Sequence, residues 1–288
     1  MNNGLNATEP VRHASRTALG VAALRAVHQL IDGEPKILDD PIAALLLDDD
    51  DGRQLLARVR EPDVVALRSR VLLRSRFAEE RMAEAVRRGV RQCVVLGAGF
   101  DTFAYRQPEW ARRLRIYEVD HLATQTEKRR RLQKAGVLMP SNLEFVAIDF
   151  ESVSLPDALR TSSLDFSQPT FFSCLGVLVY LTREAADAIF ALVAGFPAGS
   201  EIAFTFSTRD AAISNWANKV KHLGEPWRTH FEADALMCDL HALGFSEILL
   251  LTTDAAEQGY FQGRNDGLHA PRNAGVAAAV VGRAGRCC

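Results

Sequence analysis

The sequence predicts an α/β protein with a seven-stranded, mostly parallel sheet preceded by a helical segment. From Val90 onward, short runs of β-branched and aromatic residues alternate with helical segments, which is typical of parallel βα units. Before Val90, apolar residues recur at helical spacing. The chain has 288 residues, 48% of them hydrophobic, which is enough to bury a sizeable core.

Composition and charge argue against several classes of protein. Lys and Arg number 34 and Asp and Glu 36, giving a formal charge of -2, so no global field favours binding to nucleic acids. No apolar run approaches the roughly 20 residues of a membrane span, and the first ten residues resemble no leader, so we expect a soluble, cytoplasmic protein without a membrane partner. The cysteines lack the spacing of a zinc or redox site, which predicts reduced thiols and no metal; they are Cys93, Cys174, Cys238, Cys287 and Cys288.

Residues 1–89 are predicted to form a helical cap on the same domain. A first helix carries inward-facing apolar residues from Leu19 to Leu30. Asp39-Asp40-Pro41 predicts the start of a second helix, and a charged helix follows from Arg68 to Arg88. We find no repeat or linker that would separate these helices from the sheet.

Residues 90–288 are predicted to form the core. Helices are expected at 182–194, with Thr182 as the cap, and at 233–243. A long polar segment without helical periodicity joins the last two strands, so these are expected to be antiparallel neighbours that give the sheet one antiparallel edge. The predicted strands are Gln92–Leu96, Arg115–Val119, Glu144–Ile148, Thr170–Ser173, Glu201–Phe206, Glu247–Leu251 and Ala277–Val281.

A glycine turn after the first strand is the strongest local indication of a ligand. Leu96-Gly97-Ala98-Gly99 leads from an apolar strand into a helix, and glycine lets the backbone approach a ligand closely. Glu118 and Asp120 lie at the carboxyl end of the next strand, where a carboxylate can accept both hydroxyls of a ribose. An ordinary βα turn with a solvated acid is the alternative interpretation.

A dinucleotide-binding turn is a competing interpretation, because Gly-x-Gly followed by an acid also describes nicotinamide binding. The third glycine of that pattern would fall at Thr102, and a β-branched residue there disfavours tight packing of a helix around a pyrophosphate. A ligand with a nucleoside and no phosphates, such as S-adenosylmethionine, fits the turn better.

Four ordered motifs extend this pattern along the chain: Val94–Arg106, Tyr117–Asp120, Ile148–Phe150 and Gly176–Thr182. Together they resemble the leucine carboxyl methyltransferase family, in particular its bacterial branch of S-adenosylmethionine-dependent methyltransferases, which includes polyketide O-methyltransferases. The resemblance covers nearly the whole chain. It also includes Ser15–Ala18, Arg74–Phe77 and Gly224–Arg228.

The resemblance implies a class I methyltransferase fold, which is Rossmann-like, with S-adenosylmethionine as cofactor. Gly97, with Ala98 and Gly99, would contact the methionine part. Asp120 would bind the ribose, and Asp149 with Phe150 the adenine.

The resemblance also implies how the amino-acid end of the cofactor is held. Arg74 matches an arginine that holds the cofactor carboxylate in relatives, a task that suits a forked guanidinium. Arg16 is a second candidate, with a solvated helix charge as its alternative. Leu175 stands where many relatives have a glutamate, so backbone carbonyls near Gly97 and Leu175 are left to hold the cofactor's amino group.

The expected reaction is O-methylation of a small-molecule carboxylate or hydroxyl by direct in-line transfer. Tyr180 and His230 are candidate catalytic residues, needed only if the acceptor is a hydroxyl. The candidates for binding the acceptor are Arg228, His230, Arg12 and His13.

Two alternative functions remain open at this point. One is methylation of a protein's C-terminal carboxylate, and the other is a noncatalytic module that binds the cofactor. The basic run from Lys128 to Lys134 is interpreted as a solvated helix face with Leu132 pointing inward, not as a nucleic-acid site. A homodimer is left open.

Overall fold

The structure, a computed structural model, describes residues 14–48, 57–149, 154–208, 226–272 and 275–282. It contains a seven-stranded sheet in the order β3-β2-β1-β4-β5-β7-β6. The α/β class, the seven strands and the antiparallel pairing of the last two are confirmed, and the antiparallel strand β7 lies between β5 and β6. The strands are β1 (Gln92–Leu96), β2 (Arg115–Asp120), β3 (Leu143–Ala147), β4 (Thr170–Cys174), β5 (Glu201–Thr205), β6 (Phe245–Leu250) and β7 (Val276–Val281).

The helices follow the capping residues in the sequence. Thr182 accepts the N–H of Ala185 at the start of its helix, and the helix at 233 ends two residues before Gly244, whose φ is 101°. The helices are α1 (Arg16–Ile31), α2 (Pro41–Leu45), α3 (Pro62–Arg87), α4 (Leu122–Lys134), α5 (Leu155–Arg160), α6 (Arg183–Ala194), α7 (Ala233–Ala242) and α8 (Thr253–Ala256), with a π-helical turn at Glu257–Phe261.

Two expectations for the N-terminal helices are wrong. The charged helix α3 begins at Pro62 and not at Arg68, because proline fits the first turn of a helix, where its missing N–H costs no hydrogen bond. Leu30 does not face the core, since it is 66% exposed at the end of α1. The apolar face of α1 therefore ends at Val27 and His28, which are buried.

Side chains alternate along each strand, so the sheet has two faces, and helices cover both of them. Val94 and Leu96 of β1 pack towards α5, α6 and α7, whereas Cys93 and Val95 pack towards Met82 of α3. Neither face is free to bind a ligand there, which leaves the edge where the parallel strands end.

Helix α3 runs from one end of the sheet to the other. Near its C-terminus, Arg81 and Arg88 pair with the fully buried carboxylate of Glu201 at the start of β5. About two turns earlier along α3, Arg74 lies beside Gly176, just beyond the carboxyl end of β4. The helix thus carries its N-terminal half towards the edge where the ligand of an open α/β sheet binds.

Candidate functional site

The glycine turn between β1 and the following segment is tightly enclosed. Gly97 has a φ of 62° and Gly99 a φ of 49°, a region that favours glycine. A Cβ atom on Gly97 would lie 2.3 Å from Cγ2 of Val177, and one on Gly99 would lie 3.0 Å from Cβ of Ala18. The loop after β4 and the first turn of α1 therefore both pack closely against the turn. Positions 97 and 99 leave no room for a side chain and require glycine.

Asp120 ties this turn to the end of β2. One carboxylate oxygen accepts the N–H of Gly99 at 2.6 Å, and the other accepts the N–H of His121 at 2.6 Å. Burial raises the pKa of Asp120, and these two hydrogen bonds oppose the rise by stabilising the charged form. A carboxylate thus lies at the carboxyl end of β2, as the sequence predicts.

Thr102 explains why the third glycine of a dinucleotide turn is absent. Its hydroxyl, which is fully buried, donates to Asp40 at 2.7 Å. Asp40 also binds Arg25 at 2.9 Å and lies 3.4 Å from Arg106. Burial alone would raise the pKa of Asp40, but the two arginines together with hydrogen bonds from Thr102 and Ala43 outweigh it, and the pKa is lowered. These hydrogen bonds and ion pairs join α1 and the start of α2 to the glycine turn and so help to fix its shape.

Arg74 places a positive charge beside the turn. A Cβ atom on Gly176, whose φ is 72°, would lie only 2.7 Å from Nη1 of Arg74, so the guanidinium packs directly on a backbone that must be glycine. Burial lowers the pKa of Arg74 to about 10, with Tyr180 acting in the opposite direction, and the group stays protonated at neutral pH. No carboxylate among the described residues forms an ion pair with it. The site therefore offers a partly buried cation to an anionic ligand.

Leu175 borders a small polar cavity of about 20 Å³, the size of one water molecule. Two carboxylates line this cavity, Glu79 from α3 and Asp101 from the glycine turn. Burial raises the pKa of Glu79, and its partner Arg106 opposes the rise. Negative charge near Leu175 thus comes from Asp101, whereas the charge of Glu79 is balanced by Arg106.

Three of the candidates for binding and activating an acceptor, Tyr180, Arg228 and His230, lie on neighbouring segments. Tyr180 ends the 3₁₀ helix that follows β4, and the N–H of Arg228 donates to the carbonyl of Val179 at 2.7 Å. The segment that carries Arg228 and His230 therefore lies against the loop of Tyr180. Arg228 and His230 are exposed.

For three other predicted site residues, Ala98, Asp149 and Arg16, the structure gives the backbone position or the exposure. The N–H of Ala98 donates to the carbonyl of Val119. Asp149 follows Ile148, whose N–H donates to the carbonyl of Asp120 at 3.0 Å. Arg16 is exposed at the start of α1, two residues before Ala18. Arg12, His13, Phe150, Gly224 and Glu225 lie outside the described residues.

The solvated interpretation of the basic run is wrong for Lys128. Its Nζ lies 2.7 Å from Oε2 of Glu118, and both side chains are at most 2% exposed. Burial raises the pKa of Glu118 to about 7 against the attraction of Lys128. The four-residue spacing between Lys128 and the buried Leu132 puts both on one helix face, a signal that could have revealed this. Glu118 is therefore internal, which leaves Asp120 as the candidate for binding a ribose at the end of β2.

The described residues show neither a metal-binding cluster nor a membrane span. No group of three His, Cys, Asp or Glu side chains within them could hold a metal ion. None of their helices has the length and apolar character needed to cross a bilayer. Cys93, Cys174 and Cys238 are free thiols as predicted, and burial raises the pKa of Cys174 to about 12. Cys287 and Cys288 lie outside the described segments.

The strand order, the glycine turn and the acid at the end of β2 define a class I methyltransferase fold. The fold is shared by a DUF574-family protein of Streptomyces avermitilis MA-4680, with a TM-score of 0.59, 17% identity and coverage of 94% of this chain and 98% of that one. A Thermobifida fusca YX protein, named as a methyltransferase, gives a TM-score of 0.58 at 17% identity, covering 94% and 96% of the two chains.

Sequence comparison then gives the family. The family described as leucine carboxyl methyltransferase matches residues 18–194. YktD of Bacillus subtilis strain 168, named as an S-adenosyl-L-methionine-dependent methyltransferase, is 30% identical over 89% of this chain and 94% of its own length. A similarly named protein of Mycobacterium tuberculosis H37Ra is 35% identical over 72% of this chain and 70% of its own. The chain belongs to the leucine carboxyl methyltransferase family.

Proposed function

We propose that the protein is an O-methyltransferase that transfers the methyl group of S-adenosylmethionine to a carboxylate or hydroxyl of a small molecule. Its family and fold make it a methyltransferase that uses S-adenosylmethionine. The oxygen nucleophile and the small size of the acceptor are the further steps of the proposal.

The residues present fit this cofactor. Arg74, partly buried and without an ion-pair partner among the described residues, suits the carboxylate of the methionine part. Asp120 suits the ribose hydroxyls, and Asp149 at the end of β3 suits the adenine amine. Asp101 supplies negative charge for the ammonium group beside Leu175, whereas Glu79 in the same cavity is already paired with Arg106. When bound, the cofactor supplies an electrophilic methyl group on a sulfonium.

The reaction is an in-line displacement that needs no covalent enzyme intermediate. The acceptor oxygen forms a bond to the methyl carbon as the carbon–sulfur bond breaks, which yields S-adenosylhomocysteine. Holding the reacting atoms in line is worth up to roughly 7–11 kcal/mol. The chain's main task is therefore positioning, and hydrogen bonds to Asp120 and from Thr102 hold the glycine turn for it.

The kind of acceptor decides what the side chains at the edge do. A carboxylate is already ionised at neutral pH, so Arg228 would orient it by charge and His230 by a hydrogen bond. A hydroxyl must lose a proton, which His230 would accept, a contribution of roughly 10²–10⁴-fold, and Tyr180 would orient the hydroxyl by a hydrogen bond.

The observation that supports the proposal is the backbone hydrogen bond from Arg228 to Val179, which holds the segment of Arg228 and His230 against the loop of Tyr180, whose side chain interacts with Arg74. Nucleic acid is not among the proposed partners, because Lys128 is buried and Arg130 and Arg131 pair with Glu127.

A methyl-labelling experiment tests the function. The purified protein is incubated with methyl-labelled S-adenosylmethionine and, separately, with a panel of carboxylic acids, a panel of phenols and a cell extract. The products are then treated with mild base. Methyl esters release methanol under base and methyl ethers do not, so the treatment distinguishes the two acceptors. Label found only on the C-termini of extract proteins would instead favour protein carboxyl methylation. Cofactor binding with no labelled product in any panel or extract would indicate a noncatalytic module.

A further inference from the structure

A second cavity lies between the end of α1, the start of α3 and the segment that leads into β7. Its volume is about 740 Å³, within the range of small-molecule sites. The described residues that line it include Ile31, Pro62, Val65 and Pro271, which give it an apolar wall, and Arg60, His269 and Arg272, which give it polar groups.

This cavity lies on a different side of α3 from the proposed cofactor site. Pro62, Val65 and Ala66 line it, whereas Ser75, Ala78, Glu79 and Met82 line the small cavity beside Leu175. At about 100° per residue, the two sets point roughly 140° apart around the helix axis. A molecule bound in the larger cavity is therefore separated from the glycine turn by α3 itself.

The acids around the cavity are neutralised by the protein. Asp32 binds Arg68 at 2.8 Å and His28 at 2.8 Å within the core. Asp266 binds Arg264 and accepts the N–H of Gly33 at 2.9 Å. Neither carboxylate is left to attract a cation.

The cations at the rim are not neutralised in the same way. Arg60 and Arg272 are exposed, and neither side chain forms an ion pair with a carboxylate of the described residues. His269 is exposed at the same rim. The mouth of the cavity is therefore positively charged over an apolar wall.

Ser69 lies behind the wall of the cavity. It is 1% exposed, and its hydroxyl, which has no hydrogen-bond partner among the described residues, is closed off from a molecule in the cavity. The features that suit a ligand are therefore the size of the cavity, its apolar wall and the cations at its mouth.

We infer that this cavity is a second ligand site, which binds an amphipathic small anion: an apolar body that carries a carboxylate, sulfonate or phosphate. The apolar body packs on Ile31 and Val65, and the anionic group pairs with Arg60 and Arg272. The inference goes beyond the proposed methyl transfer and does not depend on it.

Two fluorescent probes with the same aromatic body test the charge requirement. 1-Anilinonaphthalene-8-sulfonate is anionic, and N-phenyl-1-naphthylamine lacks the sulfonate. We expect the anionic probe to bind the full chain with a stoichiometry of one and to remain bound at saturating S-adenosylhomocysteine. The R60A/R272A variant should lose about tenfold in affinity for the anionic probe and keep its affinity for the neutral one.

Two further variants test the location. Ala66→Leu adds bulk to the cavity wall from an exposed position that folding should tolerate, and Ala66→Trp adds more. Both should weaken binding of both probes, the larger side chain more strongly, whereas Asp120→Asn should leave probe binding intact. The inference is overturned if S-adenosylhomocysteine displaces the anionic probe, if both probes bind the arginine variant as tightly as the wild type, or if folded Ala66→Trp binds both probes as tightly as the wild type. None of these results bears on whether the protein transfers methyl groups.

Discussion

The carboxylate of Asp120 accepts the backbone N–H of Gly99 across 2.6 Å, which joins the end of β2 to the turn that follows β1. The same carboxylate is the group proposed to bind a ribose. One side chain therefore holds the shape of the glycine turn and also presents charge to the ligand, so that a change at Asp120 acts on both.

Asp120→Asn should weaken binding of S-adenosylhomocysteine by about 10–100-fold, because an amide accepts hydrogen bonds less strongly than a carboxylate and its NH₂ group cannot accept from Gly99 or His121. Isothermal titration calorimetry measures the change. Asp157→Asn is the matched control, since Asp157 is exposed on α5 and pairs only with Arg160 among the described residues. Equal affinities in the wild type and the Asp120 variant would remove Asp120 from the site.

Arg74→Ala should weaken binding of S-adenosylhomocysteine by at least about tenfold and leave binding of 5′-methylthioadenosine unchanged. The second ligand lacks the amino-acid end, so it cannot use the guanidinium. Gly176→Ala should act in the same direction, because its methyl group would lie 2.7 Å from Nη1 of Arg74. Both affinities are measured by calorimetry, and an equal loss for the two ligands would mean that Arg74 only supports the fold.

The sheet was predictable because its determinants are local. β1 follows from the apolar run Gln92–Leu96, and α6 follows from the cap at Thr182 and the buried positions that recur behind it. The turn at Gly97 and the acid at Asp120 could also be found from sequence, since their spacing follows from the βα unit.

The rest of the site depends on residues far apart in the chain. The burial of Lys128 requires an acid from β2, and the docking of Arg228 requires the loop after β4. The large cavity combines the starts and ends of two helices with a segment more than 190 residues away, Asn265–Arg272. No local sequence pattern describes such a combination, so the charges around the cavity could not be predicted from the sequence.

Stability should fall as the pH rises from about 5 to about 7, owing to Glu118. Burial raises the pKa of Glu118 from its ordinary value of 4.5 to about 7, so in this range the native state keeps a proton that the unfolded chain has released. A native state that binds more protons than the unfolded state loses stability as the pH rises. Urea unfolding measures the free energy of unfolding across this pH range. We expect this free energy to fall in the wild type relative to the E118Q/K128M variant, which lacks both members of the pair. A difference that grows in favour of the wild type with pH would contradict the assignment.

The kinetic effects of replacing Arg228 and His230 should depend on the kind of acceptor. With a carboxylate acceptor, Arg228→Ala should raise KM by about tenfold and change kcat little, because an orienting charge binds the ground state and the transition state alike. With a hydroxyl acceptor, His230→Ala should lower kcat by about 10²-fold and remove the acidic limb of the pH–rate profile, since a proton acceptor would be lost. Arg160→Ala serves as the control, because Arg160 is exposed on α5 and its described partner is Asp157. Steady-state kinetics with the acceptor found by methyl labelling gives both constants, and wild-type values in both variants would place the acceptor away from the edge formed by Tyr180 and Arg228.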